Sequence, residues 1–464
     1  MPSSLNRREF LRDMGLLGAA TAGATMLGPI AELGESWGDK PGLLERPAWV
    51  REIELPTVEV DWSAIYRFDE RNTVRRGWSK YLDEQEFAAV QDLSSRSIYE
   101  RSKAGQRGYS IRDIALYRAS GIGATQSFLG PTNVLPPSET GLTPWEGTPE
   151  ENSEMIRAAL RAFGAATVGF VELDENTEKL IYSFDPDGKE VVISEEHELP
   201  EETETQRIIP KSARWVITWT IQMSQEGMTR SPTPVGAATT AMTYAINRAV
   251  QSRLQGFLRG IGYYGLGEAE TNALGIAPAF GALAGLGEMS RLNRLVTPEY
   301  GPMARVFKMI TNLPLAPTKP INAGIMNFCK SCMTCATYCP SGSLSTAPEP
   351  SYETQGGWNR GGVKTWYENS LTCRNYWAEV GTNCGICFSV CPFSVKDRAL
   401  IHQMVKGVVG TTTIFNSALA SLSRTVYSPG PIDEPQKDPE EWWTLDLPEF
   451  GVDSTQGHRD NYRG

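Results

Sequence analysis

The stretch that decides the fold is Cys329-Lys330-Ser331-Cys332-Met333-Thr334-Cys335-Ala336-Thr337-Tyr338-Cys339-Pro340. Its C-x2-C-x2-C-x3-C-P spacing is typical of thiolate ligands to 4Fe–4S clusters. Three thiolates on a tight loop hold three irons of one cluster, and the fourth, followed by proline, points to a neighbouring cluster. The stretch therefore predicts two clusters and a protein that moves electrons.

The second cluster requires a second cysteine run. All eight cysteines of the chain lie between residues 329 and 391, and the later run is C-x2-C-x3-C-P with one more cysteine upstream. The crossover of the fourth ligand predicts two sets. The first set is Cys329, Cys332, Cys335 and Cys391, and the second set is Cys339, Cys373, Cys384 and Cys387.

Zinc and disulfide bonds are the alternative uses of these cysteines. Structural zinc sites combine two C-x2-C pairs, which is not the pattern found here. An exported protein with an even number of cysteines usually forms disulfides, but disulfides have no reason to prefer this spacing. The two clusters use every cysteine, so none remains for a catalytic thiol.

Composition narrows the classes of partner. The 464 residues leave room for two or three domains, and a formal net charge of −11 argues against nucleic acid or an anionic membrane surface. Three scattered histidines are too few for a histidine-built metal site.

The first 35 residues have the character of an export signal. Arg7 and Arg8 precede a weakly apolar, Gly/Ala-rich run over residues 14–31, which is typical of a twin-arginine signal peptide. The alternative is a membrane anchor, since 18 residues could just span a bilayer. The twin-arginine route carries folded proteins with their cofactors in place, which suits iron–sulfur cargo.

Periodicity divides the rest of the chain into four parts. Residues 36–150 are expected to wrap over another domain, with one helix over 83–99. Residues 151–320 read as an α+β domain, 321–400 as the cysteine module, and 401–464 as an extension docked by Trp442 and Trp443. Within the α+β domain the patterns predict helices from 152 and over 237–258, strands over 167–173 and 215–223, and a hairpin of 180–184 with 190–194.

A glycine-rich run, Gly260-Ile261-Gly262-Tyr263-Tyr264-Gly265, formally matches G-x-G-x-x-G. The dinucleotide fingerprint needs a strand before the run and a helix after it. Here a long helix is predicted before it, so the glycines are better explained by tight turns or close backbone approach to a large ligand.

The whole pattern resembles the corrinoid-dependent reductive dehalogenases of organohalide-respiring bacteria. The resemblance covers essentially the full chain and includes four specific stretches, 285–291 (GLGEMSR), 297–302 (TPEYGP), 305–308 (RVFK) and 356–359 (GGWN). It implies a nitroreductase-like corrinoid-binding domain followed by a bacterial two-cluster ferredoxin-like domain. It also implies a base-off cobalamin-type corrinoid without a protein ligand to cobalt, and the chain has no D-x-H-x-x-G motif.

The resemblance also implies catalytic residues. Tyr244 is similar to the family's proton-donor tyrosine, Asn272 to its pocket asparagine, and Arg305 to its arginine beside that tyrosine. Thr240 lies one helical turn from Tyr244, so the two share a face and Thr240 is expected to contact the cofactor. An arginine beside a phenolate would stabilise it after the proton leaves.

Each of these residues also has a structural explanation. A tyrosine on an apolar helix is more often part of the core, and an arginine is more often an ion-pair partner. Trp358 and Trp366 are expected either to line the cofactor pocket or to pack between domains, as is Tyr367.

The implied reaction replaces a carbon–halogen bond by carbon–hydrogen, with two electrons and one proton. The implied partners are a small organohalide, a membrane-anchor subunit and a respiratory electron donor at the outer face of the cytoplasmic membrane, and a homo-oligomer is compatible with the sequence. Two alternatives remain at this point. One is an epoxyqueuosine-reductase-like enzyme, which the charge and leader argue against, and the other is a non-catalytic electron-transfer subunit.

Overall fold

The computed structural model describes residues 46, 49–394, 400–426 and 430–451. The predicted export signal, residues 1–35, lies outside the described residues. The helices are α1 (Val74–Gly77), α2 (Glu84–Lys103), α3 (Ile111–Ser120), α4 (Pro137–Thr140), α5 (Pro149–Phe163), α6 (Gln225–Met228), α7 (Pro234–Gly260), α8 (Ala277–Leu283), α9 (Ile325–Ser331), α10 (Thr334–Thr337), α11 (Ser370–Val380), α12 (Ile386–Ser389), α13 (Leu400–Thr411) and α14 (Asn416–Val426).

The strands form four small sheets. They are β1 (Arg51–Glu52), β2 (Thr167–Glu172), β3 (Glu190–Ser194), β4 (Glu201–Glu202), β5 (Gln206–Pro210), β6 (Trp215–Gln222), β7 (Gly265–Leu266), β8 (Glu288–Met289), β9 (Leu295–Val296), β10 (Ala304–Thr311) and β11 (Ile321–Asn322). The main sheet has the order β2-β6-β10-β7, and every neighbouring pair in it is antiparallel.

The main sheet is covered on both faces. Along β6 the side chains alternate, so that Ile217 and Trp219 meet helices α5 and α7 while Val216 faces the opposite layer. Helix α8 and the small sheet of β3, β5 and β4 form that opposite layer. Strand β6 is buried on both faces, although polar residues alternate with apolar ones from Ile217 onward, because Thr218 and Thr220 are themselves buried.

Capping residues explain where the long helices begin. Thr148 starts α5 with a capping box, its hydroxyl accepting from the Glu151 N–H while the Glu151 carboxylate accepts from the Thr148 N–H. Pro234 occupies the first turn of α7, where a missing N–H costs nothing. Both helices agree with the sequence-based expectation to within a few residues.

One predicted hairpin strand is wrong. Residues 180–184 do not form a strand, because Leu180 ends a 3₁₀ turn and Phe184 makes only isolated bridges, to Asp69 and to Glu190. The turn itself is present, with the Asp185 N–H donating to the Lys189 carbonyl. Strand β3 instead pairs in parallel with β5, in a register that joins Glu190 to Gln206 and that local periodicity does not indicate.

The segment before the sheet and the tail after the cysteines are joined. Helix α3, which the sequence did not indicate, carries Asp113, whose carboxylate accepts from the Trp443 indole at 2.7 Å. The Arg112 guanidinium lies 4.9 Å from the centre of the Trp443 ring. Trp443 therefore fastens the C-terminal extension onto the wrapping segment.

Candidate functional site: two thiolate sets and a tyrosine pocket

Four cysteines from two distant parts of the module line one small, almost wholly apolar cavity. Cys329, Cys332 and Cys335 lie on or beside α9 and α10, and Cys391 follows α12. The remaining lining residues are Ser290, Leu292, Val296, Phe328, Pro392 and Phe393. Within the described part of the chain no three His, Cys, Asp or Glu side chains converge on a single ion.

The other four cysteines also face one another. The thiol charges acting on Cys384 are those of Cys373 and Cys339, and those acting on Cys387 are Cys384 and Cys339. Cys391, by contrast, feels Cys329 most strongly among the thiols. The structure thus brings together the two sets that the crossover rule assigns, and all eight cysteines are free of disulfides.

The thiols lie in a poorly solvated interior. Burial raises the pKa of Cys329 and of Cys384 to about 12, and it raises the pKa of Cys335 and of Cys391 well above the ordinary value. Without metal these groups are therefore neutral near pH 7. Binding of a cluster requires their deprotonation, and the charge of the iron offsets the cost of the buried thiolates.

Arg291 organises the loop of the first set. It is fully buried, and its Nε and Nη2 donate to the Cys329 carbonyl at 3.0 and 2.8 Å. The Cys332 carbonyl accepts a further bond from Nε at 3.2 Å, and Nη1 reaches the carbonyls of Ser345 and Ala347. The guanidinium also lies 4.5 Å from the centre of the Trp366 ring.

Glu288 fixes the helix that carries Cys329. Its carboxylate accepts from the N–H groups of Ala323 at 2.6 Å and of Ile325 at 3.1 Å. Helix α9 has no side-chain cap of its own, because Gly324 occupies the capping position. A buried carboxylate at these free N–H groups replaces the missing cap and favours the helix dipole.

Arg294 lies beside the second set. Its Nη2 is 2.7 Å from the Glu368 carboxylate, and Cys373 and Cys387 are the thiols whose charges act on it. The same Glu368 oxygen accepts from the Ser370 hydroxyl. Two arginines that are three residues apart in sequence are therefore placed one beside each thiolate set.

The three predicted catalytic residues come together at the edge of the main sheet. Tyr244 lies on α7, Asn272 in the loop after β7, and Arg305 near the start of β10. The Tyr244 hydroxyl donates to Asn272 Oδ1 at 3.3 Å, and the guanidinium carbon of Arg305 lies 5.6 Å from the centre of the Tyr244 ring. Phe307, on the same face of β10, packs edge-on against this ring at 5.8 Å.

The Asn272 loop is held by buried carboxylates. Asn272 and Leu274 have φ values of 70° and 72°, a region that costs residues other than glycine on the order of 1 kcal/mol each. The Asn272 N–H lies close enough to the buried Glu268 carboxylate to lower its pKa, against the larger effect of burial, which raises it, and the Leu274 N–H donates to Asp185 Oδ1 at 2.9 Å. Glu268 forms an ion pair with Lys308 in which both side chains are buried.

Phe388 connects the pocket to the cysteine module. Its ring centre lies 5.1 Å from the Arg305 guanidinium, and its neighbour in sequence is Cys387. Phe388 also packs against three methionines, Met223, Met228 and Met303. Arg305, which lies beside Tyr244, is therefore in contact with α12, the helix that carries the predicted cluster ligand Cys387.

The residues predicted to contact the cofactor, Thr240, Trp358 and Trp366, differ in whether their polar atoms already have partners. Thr240 Oγ1 and Arg305 Nε are buried and have no hydrogen-bond partner among the described residues. Trp358 packs edge-on against Tyr81 at 5.0 Å, with its indole N–H equally unpartnered in the described part of the chain. The Trp366 indole donates to the Ala347 carbonyl at 2.9 Å, so the described contacts of Trp366 are packing contacts at the first thiolate set.

Several residues at the site were missed at the level of sequence. Glu288 and Arg291 lie in the stretch 285–291, whose sequence resembles the family but predicts no role for either residue. The signal that could have indicated them is a glutamate and an arginine in an otherwise apolar, glycine-rich stretch, since charged residues are rarely buried without a partner. Nothing local indicates Glu268 or Lys308, whose pairing depends on sheet register.

The glycine-rich run 260–265 is not a nucleotide-binding turn. It follows directly on α7, which ends at Gly260, and it leads into the two-residue strand β7 rather than a helix. Gly262 has φ 97°, and a Cβ there would lie 2.8 Å from Pro144. The run therefore makes a tight turn with close packing, as the sequence suggested.

These features define an iron–sulfur oxidoreductase with a mixed α/β domain upstream of a double-cluster module. The family model of the reductive dehalogenase subunit matches residues 45–200 and 197–315, and that of the 4Fe-4S double cluster binding domain matches residues 328–394. The chain belongs to the reductive dehalogenase family, whose members are oxidoreductases that act on carbon–halogen bonds. The predictions of the family, the fold class and the two 4Fe–4S clusters are confirmed.

Named relatives agree with this assignment. The trichloroethene reductive dehalogenase of Dehalococcoides mccartyi is 27% identical over 97% of this chain and 98% of its own length. The tetrachloroethene reductive dehalogenase of Sulfurospirillum multivorans is 33% identical over 59% of this chain and 56% of its own length.

Solved structures agree on the fold. A catabolic reductive dehalogenase superposes with a TM-score of 0.61 at 18% identity over 84% of this chain. A second reductive dehalogenase, described as suggesting a mechanism for B12-dependent dehalogenation, superposes with a TM-score of 0.59 at 19% identity over 90% of this chain. This chain spans 50% and 55% of those two structures.

Proposed function

We propose that this chain replaces a carbon–halogen bond of a small chlorinated alkene by carbon–hydrogen, using a base-off corrinoid fed by the two clusters. The relatives that support the substrate class are named for trichloroethene and tetrachloroethene. The observation that carries the proposal is the contact of Tyr244 with Asn272 and Arg305, joined through Phe388 to the cysteine module. A protein that only carries electrons has no use for such a pocket.

The residues around Tyr244 fit a large cofactor with a polar rim. Buried polar atoms nearly always have a hydrogen-bond partner, yet Thr240 Oγ1 and Arg305 Nε have none among the described residues. Thr240, Arg305 and Trp358 are the residues that would hold the corrinoid. When bound, the corrinoid supplies the low-potential cobalt chemistry that breaks the carbon–halogen bond.

Tyr244 is the proton donor in this proposal. Its hydroxyl carries a proton that Asn272 Oδ1 accepts in the described geometry, so the phenol is oriented before substrate arrives. An amide can accept from a phenol through its oxygen and donate to a phenolate through its nitrogen. Arg305 adds a positive charge over the ring, which favours the phenolate left behind after proton transfer.

The same pocket limits access of water. Tyr244 and Arg305 are half-buried, while Thr243 and Met303 beside them are buried. Phe307 and Phe388 place apolar rings against Tyr244 and Arg305. A site of low polarity strengthens the electrostatic effect of Arg305 on a developing negative charge.

We further propose export by the twin-arginine route and a place at the outer face of the cytoplasmic membrane, through an anchor subunit and a respiratory electron donor. The support is the sequence of residues 1–35. Among the described residues no helix has both the length and the apolar character needed to cross a bilayer. Fractionation of cells tests this part, and protein that stays in the cytoplasm would contradict it.

Metal content and halide release test the main proposal. Purified under anoxic conditions from a corrinoid-producing host, the protein should contain about one cobalt for eight irons. It should release chloride from trichloroethene with a low-potential donor such as titanium(III) citrate. Iron without cobalt, or cobalt without chloride release across a panel of chlorinated alkenes and alkanes, contradicts the proposal.

An epoxyqueuosine-reductase-like activity is the second candidate. An epoxyqueuosine reductase of Lactococcus garvieae is 31% identical, but over only 29% of this chain. The family model that covers the α/β domain is that of reductive dehalogenases, and the net charge of −11 opposes binding of transfer RNA. The same preparation assayed with an epoxyqueuosine-containing stem loop should show no turnover.

A further inference from the structure

Arg291 and Arg294 lie three residues apart and face different thiolate sets, but their charges are balanced differently. Arg294 forms an ion pair with Glu368 at 2.7 Å. Arg291 is fully buried and forms no ion pair within the described part of the chain. Its hydrogen bonds all go to neutral carbonyl oxygens, those of Cys329, Cys332, Ser345 and Ala347.

A buried charge without a counter-charge is costly. Five hydrogen bonds to carbonyl oxygens and the Trp366 ring solvate the Arg291 guanidinium but do not neutralise it. When deprotonated, the thiols of Cys329, Cys335 and Cys332 are the anions that act on it most strongly, in that order, ahead of the exposed Glu349 carboxylate, which pairs with Lys330. The natural counter-charge of Arg291 is therefore the first cluster, which with its four thiolates carries net negative charge.

We propose that Arg291 raises the reduction potential of the first cluster through its uncompensated positive charge, while the Arg294–Glu368 pair leaves the potential of the second cluster nearly unchanged. An added electron makes a cluster more negative, and a nearby cation stabilises that form. Net charge close to a cluster is one of the determinants of its potential. At the second cluster the positive charge of Arg294 and the negative charge of Glu368 have opposite effects on the reduction potential. Both charges act on Cys373 and Cys387.

The consequence is a built-in difference between the two clusters. An electron that enters the module from an external reductant rests preferentially on the cluster held by Cys329, Cys332, Cys335 and Cys391. This inference rests on the two clusters and on the thiolate sets, and it is independent of whether the protein dehalogenates. Its test consequently needs no turnover.

The test is an EPR-monitored redox titration of the holoprotein and four variants. Arg291→Gln should lower one of the two midpoint potentials, whereas Arg291→Lys, which keeps the charge, should leave both near the wild-type values. Glu368→Gln leaves the charge of Arg294 unpaired and should raise the other midpoint. The matched control Arg294→Gln/Glu368→Gln removes a neutral pair and should shift neither.

Three results would overturn the inference. They are unchanged midpoints in Arg291→Gln, a shift of the same midpoint by Arg291→Gln and Glu368→Gln, and a shift in the paired control as large as that in Arg291→Gln. If Arg291→Gln binds fewer irons than the wild-type protein, Arg291→Lys decides the matter. A lowered midpoint in Arg291→Lys would assign the effect to the lost hydrogen bonds and contradict a role of charge.

Discussion

The cysteine module and the tyrosine pocket are built in opposite ways. The eight cysteines fall within 63 consecutive positions, 329–391, and short helices and loops carry them. Tyr244, Asn272 and Arg305 come from a long helix, a loop and a central strand. The module is therefore held by local spacing, while the pocket depends on the register of the main sheet and on a loop with unfavourable dihedral angles.

The difference teaches where each function is vulnerable. A cluster needs all four thiolates at once, so a change in the module removes metal. The pocket needs an orientation, so a change there removes rate and leaves the metal in place. Beneath the pocket, the buried pair of Glu268 and Lys308 supports the Asn272 loop, and changes there affect stability.

The largest effect is expected when the crossover of ligands is broken. Cys391→Ser should remove the cluster of Cys329, Cys332 and Cys335, although Cys391 belongs to the other cysteine run, because these four side chains line one cavity. Iron analysis and EPR should show about four irons in place of eight. Signals of the second cluster should remain. Loss of the second cluster and retention of the first would contradict the assignment of ligands.

A large loss of rate with full metal content is expected at Tyr244. Tyr244→Phe removes the proton donor and should lower kcat by about 10² to 10⁴-fold, with iron, cobalt and KM unchanged. Chloride release under single-turnover and steady-state conditions measures this. Tyr263→Phe, whose hydroxyl bonds only the Trp145 carbonyl among the described contacts, is the matched control. Equal turnover of wild type and Tyr244→Phe would exclude Tyr244 from proton delivery.

The buried pair tests whether the pocket needs its support. Lys308→Met leaves the Glu268 carboxylate buried and unpaired, which should reduce the free energy of unfolding by about 3–5 kcal/mol. Lys308→Met/Glu268→Gln should be less destabilising because no charge is left alone. Urea unfolding followed by fluorescence measures both. A matched exposed pair, Lys364 with Glu59, should show no measurable change, and equal losses at both pairs would contradict the argument.

The pH dependence of stability tests a second buried carboxylate. Burial raises the pKa of Glu70 to about 9 from its ordinary value of 4.5. Between these values the folded protein holds a proton that the unfolded chain has lost, so the free energy of unfolding should fall as the pH rises. Glu70→Gln should flatten this fall. The free energy of unfolding of the wild-type protein and of Glu70→Gln is measured at about pH 5.5 and about pH 8.5. An equal change with pH in both proteins would contradict the raised pKa of Glu70.

The helices and strands with strong local sequence patterns could be predicted from the sequence. The helix over 237–258 appears as α7 and the strand over 215–223 as β6, because amphipathic and apolar runs report burial directly. Strand β10, which carries Arg305, was not predicted, although likeness to a family pointed to that arginine. The strand predicted over 180–184 is wrong because Ile181 and Phe184 form isolated bridges to distant residues, Gly275 and Asp69, in place of a continuous ladder.

At the site, too, local patterns predicted some residues and gave no indication of others. Local spacing predicts the eight cysteines as ligands in two groups, and the structure places Cys391 with Cys329, Cys332 and Cys335 around one cavity. No spacing connects Glu268 with Lys308 or Arg291 with the carbonyl groups of the first loop. Their partners are separated by 40 and 38 positions, and only packing brings them into contact.

The sequence by itself determined the chemistry of electron transfer, because ligand type and spacing along a tight loop are covalent properties of the chain. It also determined the long helix that presents Tyr244, since its apolar stripe is local. Only the tertiary structure decided that Tyr244 meets Asn272 and Arg305, and that Arg294 pairs with Glu368 while Arg291 has no ion-pair partner among the described residues. Those relations depend on which side chains share a buried space, where the distance between charges sets their energy.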